Sequence, residues 1–237
     1  MSFNTMSENL KGISWMLFAT LCLGLMHTTI SHVSDNVHPF IVVFFRLFFA
    51  LIVMIPFFVR DGIAPLKTSR IKMLILRGVL NFGAMLCFFT ALSLAPIADV
   101  TALSFTAPLF ATLLAILILK EKIGWRRALA IGCGFAGTLV VLRPGFEEIG
   151  VGNALVLISA TFWGACVIIV KDLGRTESAV TITTYMSLVM APLALVPALF
   201  VWSTPSMIDF GWLLLLGILG GIGQLAVSQA LKHAETH

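Results

Sequence analysis

Residues 44–58 read FFRLFFALIVMIPFF, with one arginine, Arg46, inside an otherwise apolar run that begins at Pro39 and ends at Val59. A helix needs about 20 consecutive apolar residues to cross the hydrocarbon of a bilayer. This run has that length, and similar runs recur along the chain. They are too long and too unalternating for barrel strands, so they read as membrane helices, each satisfying its backbone groups within its own segment. Composition agrees. The 237 residues are 59% hydrophobic and 11% charged, with a mean hydropathy of +1.04, whereas a soluble domain is roughly one quarter charged. The expected fold class is an all-α polytopic membrane protein.

Eight transmembrane helices can be drawn, over residues 12–33, 39–59, 71–93, 97–119, 124–142, 150–170, 179–201 and 210–231. Short links with turn signals separate them, among them SDNVHP, DGIAPLKTSR, LRPGFEEIG and STPSMIDFG, and none could hold a soluble domain. The first run is longer than a signal-peptide core and lacks an A-x-A exit, so it is expected to stay as an anchor. With the N-terminus in the cytoplasm, thirteen of the 15 Lys and Arg residues fall on the inner side, Arg143 falls outside and Arg46 lies within the membrane. The positive-inside rule favours that orientation, with both termini cytoplasmic. The pI near 9.1 therefore reflects topology. The basic residues lie between spans and form no stripe interleaved with aromatics, so no nucleic-acid partner is expected. Cys22, Cys87, Cys133 and Cys166 sit in separate runs without metal-ligand spacing and read as small core residues.

A weak internal repeat is visible. At an offset of 140, Gly12, Leu17 and Gly24 meet Gly152, Leu157 and Gly164; at 139, Gly78, Ala91, Leu92 and Ala95 meet Gly217, Ala230, Leu231 and Ala234. A first copy over 1–149 holds five spans, and an odd number makes the second copy, 150–237, run inverted in the membrane. Inverted repeats are a transporter signature. The second copy has three spans, so two helices of a five-plus-five plan are expected to be missing after ALKHAETH.

Arg46 lies about three residues from the centre of its span, or roughly 4–5 Å from the midplane. A lipid-facing arginine at such depth costs at least about 2.5–3.5 kcal/mol, so the side chain should face the bundle interior. It can serve there as a structural arginine bonded to carbonyls or to a carboxylate such as Asp99, or as a substrate contact. Asp99, in PIADVTALSFTAPLF, can equally cap or anchor the start of its helix. Pro108 leaves the carbonyl of Ser104 without its donor, which predicts a kink and makes Pro108 the gating or helix-kink candidate, with Thr101, Ser104 and Thr106 supplying hydroxyls for local backbone groups. Asn81, Trp163 and Gln224 lie near the same depth as Arg46 and are further substrate-cavity candidates. Packing by Trp163 and interhelical hydrogen bonding by the two amides are the competing readings. His27 and His32, near the outer end of the first span, suit proton coupling, although no relay partner is evident.

GCGFAG at residues 132–137 formally matches a dinucleotide fingerprint but lies inside a continuous span, where glycines more naturally permit close helix contact, as do Gly217 and Gly221. P-loop, HExxH and GxSxG patterns do not occur, which removes support for ATP-driven pumping and for those hydrolytic chemistries.

FFRLFFALIVMIPFF, ALSLAPIADVTALSFTAPLFATLLAILILKEKI and LVLISATFWGACVIIVKDLG together resemble the EamA family of the drug/metabolite transporter superfamily, most specifically from Ala98 through Pro108 to Glu121. The resemblance implies ten helices in two inverted halves, a central cavity and secondary transport of small metabolites. Arg46, Pro108 and Glu121 match recurring family positions. The chain is also similar to bacterial S-adenosylmethionine uptake carriers.

The expectation is a secondary transporter of the bacterial inner membrane that uses alternating access, without a cofactor or metal. Its substrate would be S-adenosylmethionine or an amino-acid-like metabolite. Its partners would be that small molecule, membrane lipid and a second copy in a homodimer. The alternatives are a non-transporting truncated membrane scaffold and, more remotely, an intramembrane enzyme, for which no paired nucleophile and base is recognisable.

Overall fold

The structure is a computed structural model that describes residues 3–34, 36–119, 124–142 and 150–234. The described residues form α1 (Phe3–Val33), α2 (Pro39–Asp61), a short 3₁₀ turn (Ala64–Leu66), α3 (Ile71–Leu94), α4 (Ile97–Ser104), α5 (Ala107–Leu119), α6 (Trp125–Leu142), α7 (Val151–Gly174), α8 (Ala179–Phe200) and α9 (Met207–Ala234). Among them are seven segments long and apolar enough to cross a membrane: Leu10–Ile30, Pro39–Asp61, Ile71–Leu94, Ile97–Ile118, Val151–Gly174, Ala179–Phe200 and Met207–Leu231. The fifth expected span coincides with α6, several of whose side chains lie outside the described set. Glu121 and Arg143 also lie outside it.

Local chemistry sets the helix ends. His38 caps α2 by accepting a hydrogen bond from the Phe40 amide at Nδ1 (3.3 Å), and Pro39 at the first helical position has no N–H to leave unsatisfied. The helix stops before Gly62, whose φ of 59° is the left-handed conformation that glycine adopts without a Cβ clash. Ser178 caps α8, its Oγ accepting from the Thr181 amide (3.0 Å). Ser206 precedes α9 and accepts from the Asp209 amide (3.2 Å) while donating to the Asp209 carboxylate (2.6 Å). Within α1, Ser14, Thr20, Thr28 and Thr29 each donate to the carbonyl four residues back. That pattern satisfies a hydroxyl without water and suits a helix facing lipid.

The expected 97–119 span is interrupted. It ends as α4 at Ser104 and restarts as α5 at Ala107. The Thr106 amide and hydroxyl both donate to the Leu103 carbonyl, at 3.0 and 2.6 Å, closing a tight turn in place of the α-helical ladder. Pro108, exposed and one residue into α5, has no N–H to offer the Ser104 carbonyl.

Two compact units result: Met1–Gly78 with Val170–His237, and Val79–Ile169, the divisions falling within α3 and α7. In the first, α9 packs along α1 and α2, while α8 packs on α2 and α9. Met26, Val33, Val37, Ile41, Val42, Phe49, Ala198, Leu213 and Leu216 form its core. Gly217 and Gly221 are where α9 meets α2: a Cβ at Gly217 would sit 2.3 Å from the Phe49 Cβ, and one at Gly221 would sit 3.0 Å from a Val53 methyl. In the second unit, Ala91, Val100, Leu103 and Val156 form a smaller core, and the Ser159 hydroxyl on α7 donates to the Ala84 carbonyl on α3 (2.7 Å).

Two expectations need correction here. Cys22 and Cys166 are buried, but Cys133 is exposed on α6, as are Leu129, Phe135 and Val140 of the same helix. A membrane helix is apolar on every side, so residue type does not reveal which face packs. For the same reason Gly134 approaches Leu109 closely, whereas Gly132 and Gly137 have nothing within 4 Å of a built Cβ.

Candidate functional site

Arg46 lies in the first unit, on the side of α2 that faces α9 and α1. A Cβ placed on Gly220 of α9 would lie 3.4 Å from the Arg46 Nε, 3.6 Å from its Cγ and 3.2 Å from the Met26 sulfur of α1. The missing side chain at Gly220 therefore lets the arginine lie across α9. Leu47, the next residue, is buried in the core and Phe48 is 49% exposed, as expected when successive side chains on a helix point about 100° apart. Arg46 itself is half-buried, and among the described residues it makes no hydrogen bond or ion pair. His27 of α1 is within Coulombic reach of it.

Gln224 is four residues beyond Gly220, hence on the same face of α9. It too is half-buried and without a hydrogen bond among the described residues. His32 is turned to another task, packing edge-to-face against Trp212 with centroids 5.2 Å apart.

The other candidates lie in the second unit. Asp99 occupies the first turn of α4, half-buried, its amide bonded to the Pro96 carbonyl (3.0 Å) and its carboxylate unbonded among the described residues. The helix dipole favours a carboxylate at that position. Trp163 is half-buried against Phe88, rings tilted by 49° with centroids 5.2 Å apart. Asn81 is half-buried and has an interaction partner within the protein.

One cluster was not anticipated from the sequence, where its basic members read only as topology signals. Arg70 pairs with the Asp172 carboxylate and also donates to the Asp172 carbonyl (3.2 Å). Thr68 donates to the buried Glu177 (2.6 Å), Arg77 to the Ile182 carbonyl (2.9 Å) and Tyr185 to the Leu66 carbonyl (2.8 Å). Together these bonds tie the α2–α3 connection and the start of α3 to the end of α7 and the first part of α8. The opposite charges of DGIAPLKTSR and KDLGRTE carry the signal, but pairing between stretches roughly a hundred residues apart becomes visible only when both are placed.

Arg46 is thus a half-buried cation on a membrane-length helix, with no hydrogen bond or ion pair among the described residues. The sequence profile of the EamA-like transporter family matches residues 10–143 and 150–237. The chain belongs to the EamA-like transporter family. It is 34% identical over 221 residues to an S-adenosylmethionine uptake transporter of Rickettsia bellii, covering 93% of this chain and 75% of the relative. A protein of the same name from Rickettsia conorii is 35% identical, covering 94% and 75%, and a riboflavin transporter of Vibrio cholerae is 30% identical, covering 95% and 78%. A crystal structure with 21% sequence identity superposes with a TM-score of 0.72 over 96% of this chain and 80% of its own, which shows a shared fold. This EamA-like chain is thus a multi-pass membrane protein whose relatives are named as transporters of small metabolites and not as enzymes.

Proposed function

We propose that this EamA-like protein is a secondary carrier of the bacterial inner membrane that moves a small metabolite by alternating access, with both termini in the cytoplasm. The observation that carries the reading is the family match on two successive segments, 10–143 and 150–237, in a chain whose relatives are named for small-metabolite transport. On this reading 1–149 and 150–237 are inverted repeats, a plan that lets a substrate site open to either side in turn. S-adenosylmethionine or an amino-acid-like molecule is the proposed substrate. Arg46 and Gln224 are the contacts proposed from the first unit, with Asp99, Trp163 and Asn81 as candidates from the second. The α4–α5 interruption before Pro108 supplies a point at which the chain can bend without breaking a regular ladder.

The test is uptake of a radiolabelled panel, including S-adenosylmethionine, methionine and riboflavin, by proteoliposomes containing the purified chain. Saturable uptake of at least one compound is expected. Flux equal to that of protein-free liposomes across the panel would sink the proposal.

A further inference from the structure

We propose that Arg46, assisted by Gln224, is a carboxylate subsite, so that the transported metabolite carries a free carboxylate of the amino-acid type. The inference rests on the carrier reading and narrows it to one substrate class. It follows from an inventory of charges in the unit that holds Arg46. The described carboxylate side chains of that unit are engaged elsewhere: Asp61 with Arg60, Asp172 with Arg70, Glu177 with Thr68 and Asp209 with Ser206. Arg70 and Arg77 likewise have partners. Arg46 has none among the described residues, although it lies within a membrane-spanning helix, where a charge without a partner is strongly disfavoured.

The missing partner must be an acceptor, because a guanidinium carries donors alone, and its planar fork matches the two oxygens of a carboxylate. Its single positive charge balances one carboxylate, whereas a phosphate dianion would keep an excess negative charge. Gln224 can add an amide N–H from the same face of α9 that Gly220 leaves open to the arginine. Neither donor has a partner among the described residues, so both can turn to an entering solute.

The test compares molecules that differ only at the carboxylate: S-adenosylmethionine against its decarboxylated form, and methionine against its methyl ester, each as competitor and as labelled substrate in proteoliposomes. Loss of the carboxylate should weaken competition by about tenfold or more in the wild-type protein, as expected for removing a charge-assisted bidentate contact. That discrimination should collapse in Arg46→Ala, persist weakened in Arg46→Lys, which keeps the charge but not the fork, and shrink in Gln224→Leu. Circular dichroism and detergent size-exclusion profiles establish that each variant is folded, and Gln224→Leu provides a second route if Arg46→Ala does not fold. Saturable transport in which carboxylate and carboxylate-free partners compete equally would overturn the subsite and leave the carrier intact. Stronger competition by inorganic phosphate than by methionine would also overturn it. No saturable transport of any compound would contradict the carrier reading and the subsite together.

Discussion

Arg46 joins the sequence to the proposed transport chemistry through its burial and its lack of a partner among the described residues. Its neighbours offer a direct test of its surroundings. In a background without Cys22, Cys87, Cys133 and Cys166, Arg46→Cys should react with a membrane-impermeant thiol reagent from at least one side. Leu47→Cys, in the core, and Phe48→Cys, on the exposed apolar side, should react far more slowly. Equal rates at the three positions would mean that α2 has no distinct water-accessible side. Gly217 makes a packing prediction at the same scale. An added methyl would sit 2.3 Å from the Phe49 Cβ, so Gly217→Ala must push α9 from α2 at a cost of about 1–3 kcal/mol. Gly24→Ala, with nothing within 4 Å, is the control. The measurement is melting in detergent, and an unchanged midpoint for Gly217→Ala would show that the helices do not meet this closely.

At the scale of elements, the bonds between the α2–α3 connection and the α7–α8 junction are the testable unit. The Arg70 and Asp172 side chains are each 27% exposed, so the pair should contribute only about 1 kcal/mol, less at high salt. Glu177 is 8% exposed and accepts from Thr68. Truncating it should cost more, about 1–3 kcal/mol, because the carboxylate is buried and the half-buried Thr68 hydroxyl loses its acceptor. Melting of Arg70→Ala, Asp172→Ala, the double variant and Glu177→Ala checks the order; additive losses from the Arg70 and Asp172 variants would show no coupling between them. These bonds also mark where sequence reading runs out. Seven of the eight expected spans return among the described residues as segments of crossing length, since apolar runs of bilayer length admit little else, and the interruption before Pro108 follows from one missing N–H. Partners such as Arg70 and Asp172 were not legible, because long-range pairing depends on which helix ends meet. Nor was the facing of α6, where apolar residues on all sides left Cys133 without a sign that it would be exposed.

For the whole molecule, family membership and the membrane fold were readable from residue pattern, because the lipid constraint and the motif from Ala98 through Pro108 act locally. The site was readable only as a set of depths. Arg46 and Gln224 belong to one compact unit, near Gly220 of α9, and Asp99, Trp163 and Asn81 belong to the other; none of the five depths in the sequence carried that division. Alternating access is decided by counterflow. Proteoliposomes containing the purified protein are loaded with unlabelled substrate, S-adenosylmethionine first, and diluted into a trace of the labelled compound. A carrier that exposes one site to each side in turn must exchange inside for outside molecules, so label should rise transiently above its equilibrium level and the effect should saturate with internal substrate. Label that enters in proportion to its external concentration, never exceeds equilibrium and ignores the internal load would contradict alternating access.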